Sequence, residues 1–365
     1  MFHHFGRLCA LLIGIVAMAA AAAPEAATPP ATHDYRDRNF DYFVTGDPAL
    51  PRAAHTERGY ALMGGGGTVD AAFRFIATHA GGGHIVILRA VSDDSYDPTD
   101  GDLGKSFQTQ WGGVTSAETI VFHNREASSD PRVVAALRGA DGIFLAGGDQ
   151  ANYLRYWKDT PVSDALNAHV RANRPIGGSS AGLAILGGHS YTAFDGGSME
   201  SRVAIADPFN SGMTLESDFL HCPYLEDVIT DTHFSARSRL GRLIAFVARL
   251  HGDASGAKVF GIGIDEKTAL LVGTDGVGHV AEGSAGSVWL VMPQQAGKVL
   301  ARGKPLSISN LRLVRLGSAG SIDLKTRTID HPAAEANLSI ARGKLAGQSI
   351  ASPIFQRSAV PGNES

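Results

Sequence analysis

The sequence predicts an α/β protein in which a mostly parallel sheet is sandwiched by helices, with antiparallel strands in the C-terminal part. The middle of the chain alternates short, continuously apolar segments with longer segments of helical periodicity. Continuous apolar runs are typical of strands buried on both faces, and their alternation with helices is typical of a parallel sheet. From residue 259 onward short strands follow one another, and the Thr-Asp-Gly sequence at residues 274–276 predicts a hairpin turn. We therefore expect the later strands to extend the same sheet in antiparallel fashion.

The predicted elements can be placed individually from these patterns. Strands are expected at residues 60–63, 85–88, 119–122, 142–145, 227–230, 259–264, 268–272 and 287–292. Helices are expected at residues 69–79, 131–138, 152–157, 162–172 and 240–250.

The N-terminal residues read as a targeting signal. Arg7 precedes an apolar run at residues 8–22 that is shorter than a membrane span, and alanine-rich cleavage positions follow near Ala23. These features predict a secretory signal peptide, and hence a secreted or periplasmic product. The expected division of the chain is a signal peptide at residues 1–23, a flexible leader at 24–40, a single α/β domain at 41–350 and a disordered tail at 351–365.

Composition and charge exclude several classes of partner. The chain has 32 Lys and Arg residues against 36 Asp and Glu residues, and it contains no long basic run, so nucleic acid is not an expected partner. No second apolar run is long enough to span a bilayer, so the processed chain is not expected to enter a membrane. Histidine and cysteine show no metal-ligand spacing, and the glycines at residues 64–67 do not complete a dinucleotide fingerprint. We therefore predict no metal and no cofactor, and interpret residues 64–67 as a glycine-rich turn near an active site.

Residues 178–182 read Gly-Ser-Ser-Ala-Gly and form the most informative motif in the chain. This G-x-S-x-G pattern follows a short strand candidate and precedes a helix-compatible segment, which is the context of a nucleophile elbow centred on Ser180. Flanking glycines are needed because larger side chains would collide with the neighbouring strand and helix. On the pattern alone, an ordinary glycine-serine loop remains an equal alternative.

A second glycine-rich turn, residues 147–150, follows an apolar strand and reads Gly-Gly-Asp-Gln. Its backbone N–H groups are suited to an anion or oxyanion, and Gln150 is suited to donate to a substrate carbonyl or carboxylate. The alternative is a helix-capping turn with Asp149 at the N-cap.

A third group lies at the end of a strand, where Asp231, Thr232 and His233 are followed by several arginines. Nearby arginines depress the pKa of a histidine, which keeps the imidazole neutral and able to act as a base. Arginines also bind carboxylates in a forked geometry. The alternative is a solvated helix start. The arginines concerned are Arg237, Arg239 and Arg242.

Together, and in this order along the chain, these motifs resemble the cyanophycinase and peptidase E family of serine peptidases. The resemblance runs from about residue 60 to 272 and includes the Gly-Ile-Gly-Ile-Asp-Glu segment at residues 261–266. It implies a class I glutamine-amidotransferase-like α/β fold, with Ser180 as nucleophile and His233 as general base. It also implies oxyanion donors at the N–H groups of Gly148 and Ala181.

The resemblance further implies an acidic third member that orients His233, in a variable segment after the elbow. Glu200 is the first choice and Asp195 the second, with Glu266 as an outside candidate. Asp231 is expected to hold the substrate site together.

Cyanophycin, a poly-aspartate that carries arginine on each side-chain carboxyl, is the substrate that the resemblance implies, and β-aspartyl-arginine is the product. The substrate-binding residues are expected to be Gln150, Asp231, Thr232, Arg237, Arg239 and Arg242. Many intracellular members carry glutamine where this chain has Thr232, which leaves the choice of substrate open. The alternatives are a hydrolase of short aspartyl or isoaspartyl peptides and a catalytically silent binding protein of the same fold. Relatives are often dimers, so a homodimer is also left open.

Overall fold

The computed structural model describes residue 1 and residues 33–91, 98–195, 197–251, 258–294 and 298–347. The predicted signal peptide beyond Met1, and the predicted tail at residues 351–365, lie outside these described residues. Among the residues that are described, no helix is long and apolar enough to cross a membrane.

Strands and helices alternate along the first two thirds of the chain, and strands dominate the rest. The strands are β1 (Tyr35–Arg36), β2 (Phe40–Gly46), β3 (Tyr60–Met63), β4 (His84–Ala90), β5 (Ser116–Phe122), β6 (Gly142–Leu145), β7 (Ile176–Ser179), β8 (His189–Tyr191), β9 (Leu215–Ser217), β10 (Val228–Asp231), β11 (Phe260–Ile264), β12 (Ala269–Val272), β13 (Val277–Val280), β14 (Val288–Pro293), β15 (Lys298–Val299), β16 (Ser307–Leu316), β17 (Ser321–Asp323), β18 (Ile329–Asp330), β19 (Ala334–Ala341) and β20 (Lys344–Gly347). The α-helices are α1 (Asp70–His79), α2 (Asp102–Thr109), α3 (Pro131–Gly139), α4 (Gln150–Trp157), α5 (Pro161–Arg171), α6 (Ala181–Ala184), α7 (Ser201–Ala206) and α8 (Leu240–Leu250).

The first sheet has a parallel centre, as the sequence predicts. Its order is β1-β2-β5-β4-β6-β7-β3-β12-β13-β17-β18, and β5, β4, β6, β7 and β3 run parallel to one another. The central strands are buried on both faces, which explains their continuous apolar sequences. Antiparallel strands close the sheet on both sides, β2 against β5 and β12 against β3. The predicted α/β class is therefore confirmed, with the parallel strands in the centre of the sheet.

The C-terminal strands do not all extend that sheet, and this part of the prediction is wrong. A second sheet has the order β20-β19-β16-β14-β11-β10-β8-β9, in which β10 and β11 pair in parallel and the strands from β14 onward are antiparallel. The chain crosses from the second sheet to the first between β11 and β12, at residues 265–268. Strand periodicity cannot show which neighbour a strand will choose, so one sheet and two sheets look alike in the sequence.

The second sheet packs on α8. The helix buries a nearly continuous apolar face, and one hydrophobic cluster includes Phe246 of α8, Val291 of β14 and Leu311 of β16. A larger cluster includes residues of both sheets, such as Leu145 and Leu290. The carboxyl ends of β7, β10 and β11 are thereby held in a rigid frame.

The predicted leader at residues 24–40 is wrong for its last part. Within the described residues, Tyr35 and Arg36 form β1, which pairs antiparallel with β2. The ring of Tyr35 packs edge-on against Phe40 at 5.2 Å between centroids, and the guanidinium of Arg132 lies over it. Aromatic packing of this kind stabilises a short edge strand that has little pattern of its own.

Candidate active site

Ser180 lies in a strained turn between β7 and α6. Its backbone angles are φ +53° and ψ −117°, a sparsely populated combination for a residue with a side chain. A Cβ atom on Gly178 would lie 2.5 Å from the carbonyl of Gly182, and one on Gly182 would lie 2.0 Å from the carbonyl oxygen of Leu145. Neither position can hold a larger residue without a shift of the backbone. The strand–turn–helix context predicted for the elbow is present, and the ordinary-loop alternative is not supported.

A continuous series of hydrogen bonds links Ser180, His233 and Glu266. Ser180 Oγ lies 2.8 Å from His233 Nε2, and His233 Nδ1 lies 2.7 Å from Glu266 Oε1. The backbone N–H of His233, which has φ +44°, donates to the carbonyl of Gly64 at 2.8 Å. With the carboxylate as acceptor, Nδ1 carries the proton and Nε2 is free to accept one from the serine.

The structure places Glu266, and not Glu200, against the histidine. Glu200 lies at the N-cap of α7 with a 61% exposed side chain, which pairs with Arg202 at 2.7 Å. Asp195, the second choice, is also exposed. Glu266, the outside candidate from the sequence, therefore replaces Glu200 as the acidic member of the triad.

Register explains why Glu266 reaches the histidine. Strands β10 and β11 are parallel, and Asp231 pairs with Gly263. His233 follows two residues after Asp231, and Glu266 follows three residues after Gly263, so both leave adjacent strands at the same edge of the sheet. An acidic residue that follows a neighbouring parallel strand is the sequence signal that could have identified Glu266. That signal can be used only if β10 and β11 are known to be neighbours.

Burial and charge together tune the histidine. Burial lowers the pKa of His233, the hydrogen bond to Glu266 opposes that shift, and the positive charges of Arg237 and Arg239 lower the pKa further. The predicted direction is confirmed, although burial contributes more than the arginines. The hydrogen bond from His233 lowers the pKa of Glu266, so this carboxyl stays ionised at neutral pH. The pair is thus a neutral imidazole beside a carboxylate, which suits a general base.

Asp231 and the two buried arginines form an internal network beneath the site. Arg242 donates through Nε to Asp231 Oδ2 at 2.8 Å, and its side chain is only 2% exposed. Arg239 donates through Nη1 to the hydroxyl of Thr232 at 3.0 Å and to the carbonyl of Thr232 at 2.8 Å. Both guanidinium groups donate to Ser198 Oγ, at 3.1 Å and 2.7 Å.

This network changes the interpretation of four predicted substrate-binding residues. Thr232, Arg239 and Arg242 are buried and hydrogen-bonded within the protein rather than presented to a ligand. Asp231 accepts from both arginines, as expected for a residue that holds the site together. Burial of two cations with one carboxylate is stable only when most of their donors are satisfied, which fixes this geometry tightly. Arg237 is the exception, because it is exposed and lies one turn beyond His233.

The turn after β6 lies against the nucleophile. A Cβ atom on Gly147 would lie 3.6 Å from Cβ of Ser180. Ala181 is the first residue of α6, and the first N–H groups of a helix have no acceptor within it. These positions suit the predicted oxyanion donors Gly148 and Ala181, whose roles stay predictions. Asp149 accepts from the N–H of Ala151 at 2.9 Å, so the capping interpretation of this turn also holds.

Gln150 is half-buried at the start of α4. Its side-chain amide lies 3.5 Å from the carbonyl oxygen of Tyr191, at the limit of a hydrogen bond. Its predicted contact with substrate stays a prediction.

The glycine turn at residues 64–67 follows β3 and packs on the triad. The interpretation as a turn near an active site is confirmed, but the sequence does not predict its direct contact with the catalytic side chains. Among the described residues, no group of three or more His, Cys, Asp or Glu side chains could hold a metal ion.

A serine in a strained turn, hydrogen-bonded to a histidine that is oriented by a carboxylate, defines the site of a serine-type hydrolase.

Comparison with known proteins gives the family. A family profile described as peptidase family S51 matches residues 106–279. A cyanophycinase of Nostoc sp. is 33% identical over 222 residues, which cover 60% of this chain and 68% of that protein. A cyanophycinase of Geminocystis herdmanii is 28% identical, with 68% of this chain and 86% of that protein covered.

A peptidase from an acI-B1 actinobacterium is 19% identical with a TM-score of 0.47, and the match covers 74% of this chain and 98% of that one. From the sequence relatives, this chain belongs to peptidase family S51, and it is a serine-type peptidase similar to cyanophycinases.

Proposed function

We propose that this protein is a secreted serine peptidase that hydrolyses cyanophycin to β-aspartyl-arginine through an acyl-enzyme on Ser180. The hydrogen-bonded series Ser180–His233–Glu266 carries the catalytic part of the proposal. Similarity to the cyanophycinases of Nostoc sp. and Synechococcus elongatus supports the substrate.

The geometry supports a two-step acyl transfer. Ser180 Oγ attacks the scissile carbonyl while His233 Nε2 takes its proton, and Glu266 holds the Nδ1–H and stabilises the imidazolium that forms. The N–H groups of Ala181 and Gly148 donate to the oxyanion of the tetrahedral intermediate. When the intermediate collapses, the C–N bond breaks and His233 gives its proton to the leaving amine. Water, deprotonated by the same histidine, then hydrolyses the ester and the proton returns to Ser180.

The charge around the site suits a substrate rich in carboxyl groups. Arg237 presents an exposed guanidinium beside His233, and the buried arginine network adds a positive potential beneath it. Arg237 therefore binds a substrate carboxylate in this proposal. Thr232 is buried, and its hydroxyl accepts a hydrogen bond from Arg239. The presence of threonine where many intracellular members carry glutamine therefore affects substrate choice through Arg239.

The test uses insoluble cyanophycin and mass spectrometry of the soluble products. The purified protein is expected to release β-aspartyl-arginine, and Ser180→Ala is expected to release none. Ser179→Ala is the matched control, because it removes a hydroxyl one residue earlier on β7 and is expected to keep activity. Equal activity in Ser180→Ala would refute the assigned nucleophile. Hydrolysis of short isoaspartyl peptides without release of β-aspartyl-arginine from cyanophycin would refute the proposed substrate. The assignment of Ser180 as the nucleophile would be unaffected.

Secretion is proposed from the N-terminal sequence, in which Arg7 precedes the apolar run at residues 8–22. Expression of the full chain in a Gram-negative host, followed by intact-mass measurement of the exported fraction, tests it. We expect a mature chain that begins near Pro24. A full-length chain found only in the cytoplasm would contradict the proposal.

A further inference from the structure

The glycine turn at residues 64–67 contacts every member of the triad through backbone atoms. A Cβ atom on Gly65 would lie 2.7 Å from His233 Nε2 and 3.0 Å from Cβ of Ser180, so Gly65 lies against this hydrogen-bonded pair. A Cβ atom on Gly66 would lie 2.7 Å from Cβ, Cγ and Cδ of Glu266. Real Cβ atoms essentially never approach other atoms so closely, so glycine alone fits both positions without a shift.

Among the described contacts, the Glu266 side chain makes one hydrogen bond, the one with His233. Its side chain is 39% exposed, and its hydrogen bond with His233 competes with hydration of the carboxylate. A partly solvated glutamate has several rotamers of similar energy. Gly66 lies along the whole length of this side chain and leaves it no room on that face.

We propose that Gly66 is a positioning residue that holds the Glu266 carboxylate in the rotamer facing His233. The proposal rests on the proposed function, since it concerns the same triad. Gly66 acts through Glu266 and does not touch substrate.

The backbone of the turn is anchored on both sides, so a clash at Gly66 must be relieved by Glu266. The carbonyl of Gly65 accepts from the N–H of Lys267 at 2.8 Å, and the N–H of Gly64 donates to the carbonyl of Thr268 at 3.0 Å. The carbonyl of Gly64 also accepts from the N–H of His233. Any added methyl group therefore meets a fixed backbone and a movable carboxylate.

The experiment compares Gly66→Ala with a control that carries the same backbone strain without the clash. Gly66 has φ +71°, and Gly82, in the turn after α1, has φ +68° with nothing within 4 Å of the place where its Cβ atom would lie. The readouts are kcat, KM and the far-downfield NMR resonance of the His233 Nδ1 proton, which reports the bond to Glu266 without any substrate.

For Gly66→Ala we expect kcat to fall about 10²-fold or more, as for other small misplacements of catalytic groups, with KM little changed. The downfield resonance is expected to disappear. Gly82→Ala is expected to keep both the resonance and kcat. The double variant Gly66→Ala/Glu266→Ala is expected to be no slower than Glu266→Ala, because the two changes remove the same interaction.

Retention of the resonance and of kcat in Gly66→Ala would overturn the proposal. Equal losses in Gly82→Ala would also overturn it. So would a double variant whose fall in kcat equals the product of the falls in the two single variants. If Gly66→Ala does not fold, Gly66→Asn is used instead, because asparagine tolerates positive φ and carries the same Cβ atom. If the parent cleaves neither cyanophycin nor isoaspartyl peptides, the proposed function fails, while the resonance and its loss still decide the role of Gly66.

Discussion

Replacement of Glu266 by glutamine is the sharpest test of the triad. Removal of the charge of a buried triad carboxylate costs about 10⁴-fold in kcat, since the histidine is left in the wrong tautomer. Glu266 is 39% exposed, so water can in part accept the hydrogen bond from the Nδ1–H, and the expected loss is smaller. We expect kcat to fall about 10²–10³-fold, which corresponds to about 3–4 kcal/mol in the activation barrier.

The assay measures kcat on a soluble β-aspartyl peptide across pH, with Glu200→Gln as the matched control. Glu200 lies on the surface and pairs with Arg202, so its replacement is expected to change kcat less than about twofold. Retention of more than about a tenth of kcat in Glu266→Gln would refute the assigned role. A loss in Glu200→Gln as large as that in Glu266→Gln would refute the correction of the triad.

Four further outcomes follow from the structure. Burial lowers the pKa of His233, and the base must be neutral to act, so kcat/KM should rise with pH through an acid limb below the ordinary value of 6.5. In Glu266→Gln that limb should move lower still, because the carboxylate that raises the pKa is lost. Asp231→Asn leaves two buried guanidinium groups without their carboxylate, and a loss of about 3–5 kcal/mol in unfolding free energy is expected by denaturant titration. Gly182→Ala places a methyl group against the carbonyl of Leu145, and calorimetry should show a lowered Tm or no folded protein. Arg237→Ala should raise KM more than it lowers kcat in steady-state assays, because this arginine is exposed beside the site and holds no buried partner among the described contacts.

The elbow can be predicted because its signal is local, and the histidine can be predicted because the family resemblance supplies it. Glycine is required on both sides of Ser180, because a side chain on Gly178 would meet Gly182 and one on Gly182 would meet Leu145. A catalytic serine also needs a histidine, and sequence order with the family resemblance identifies it as His233. The alternation of apolar runs with helical segments likewise predicts the parallel centre of the first sheet. Such features depend on short-range sterics and periodicity, which a single sequence carries.

Other features depend on which strands become neighbours. The family resemblance favours Glu200 over Glu266 because it places the acidic residue in a variable segment after the elbow. The pairing of β10 with β11 decides instead which carboxylate meets His233. Arg239 and Arg242 read as ligands for substrate, although Asp231 and Ser198 bind them internally.

The sequence by itself determined the fold class, since hydrophobic periodicity acts over a few residues. Its motifs, taken with the family resemblance, determined the elbow at Ser180 and the residue types of the chemistry. Only the tertiary structure decided that the C-terminal strands divide between two sheets and that the chain crosses between them at Glu266. It also decided that the glycines after β3 press on the triad. These are long-range contacts, and their choice rests on the packing of the whole core rather than on any pattern within one segment.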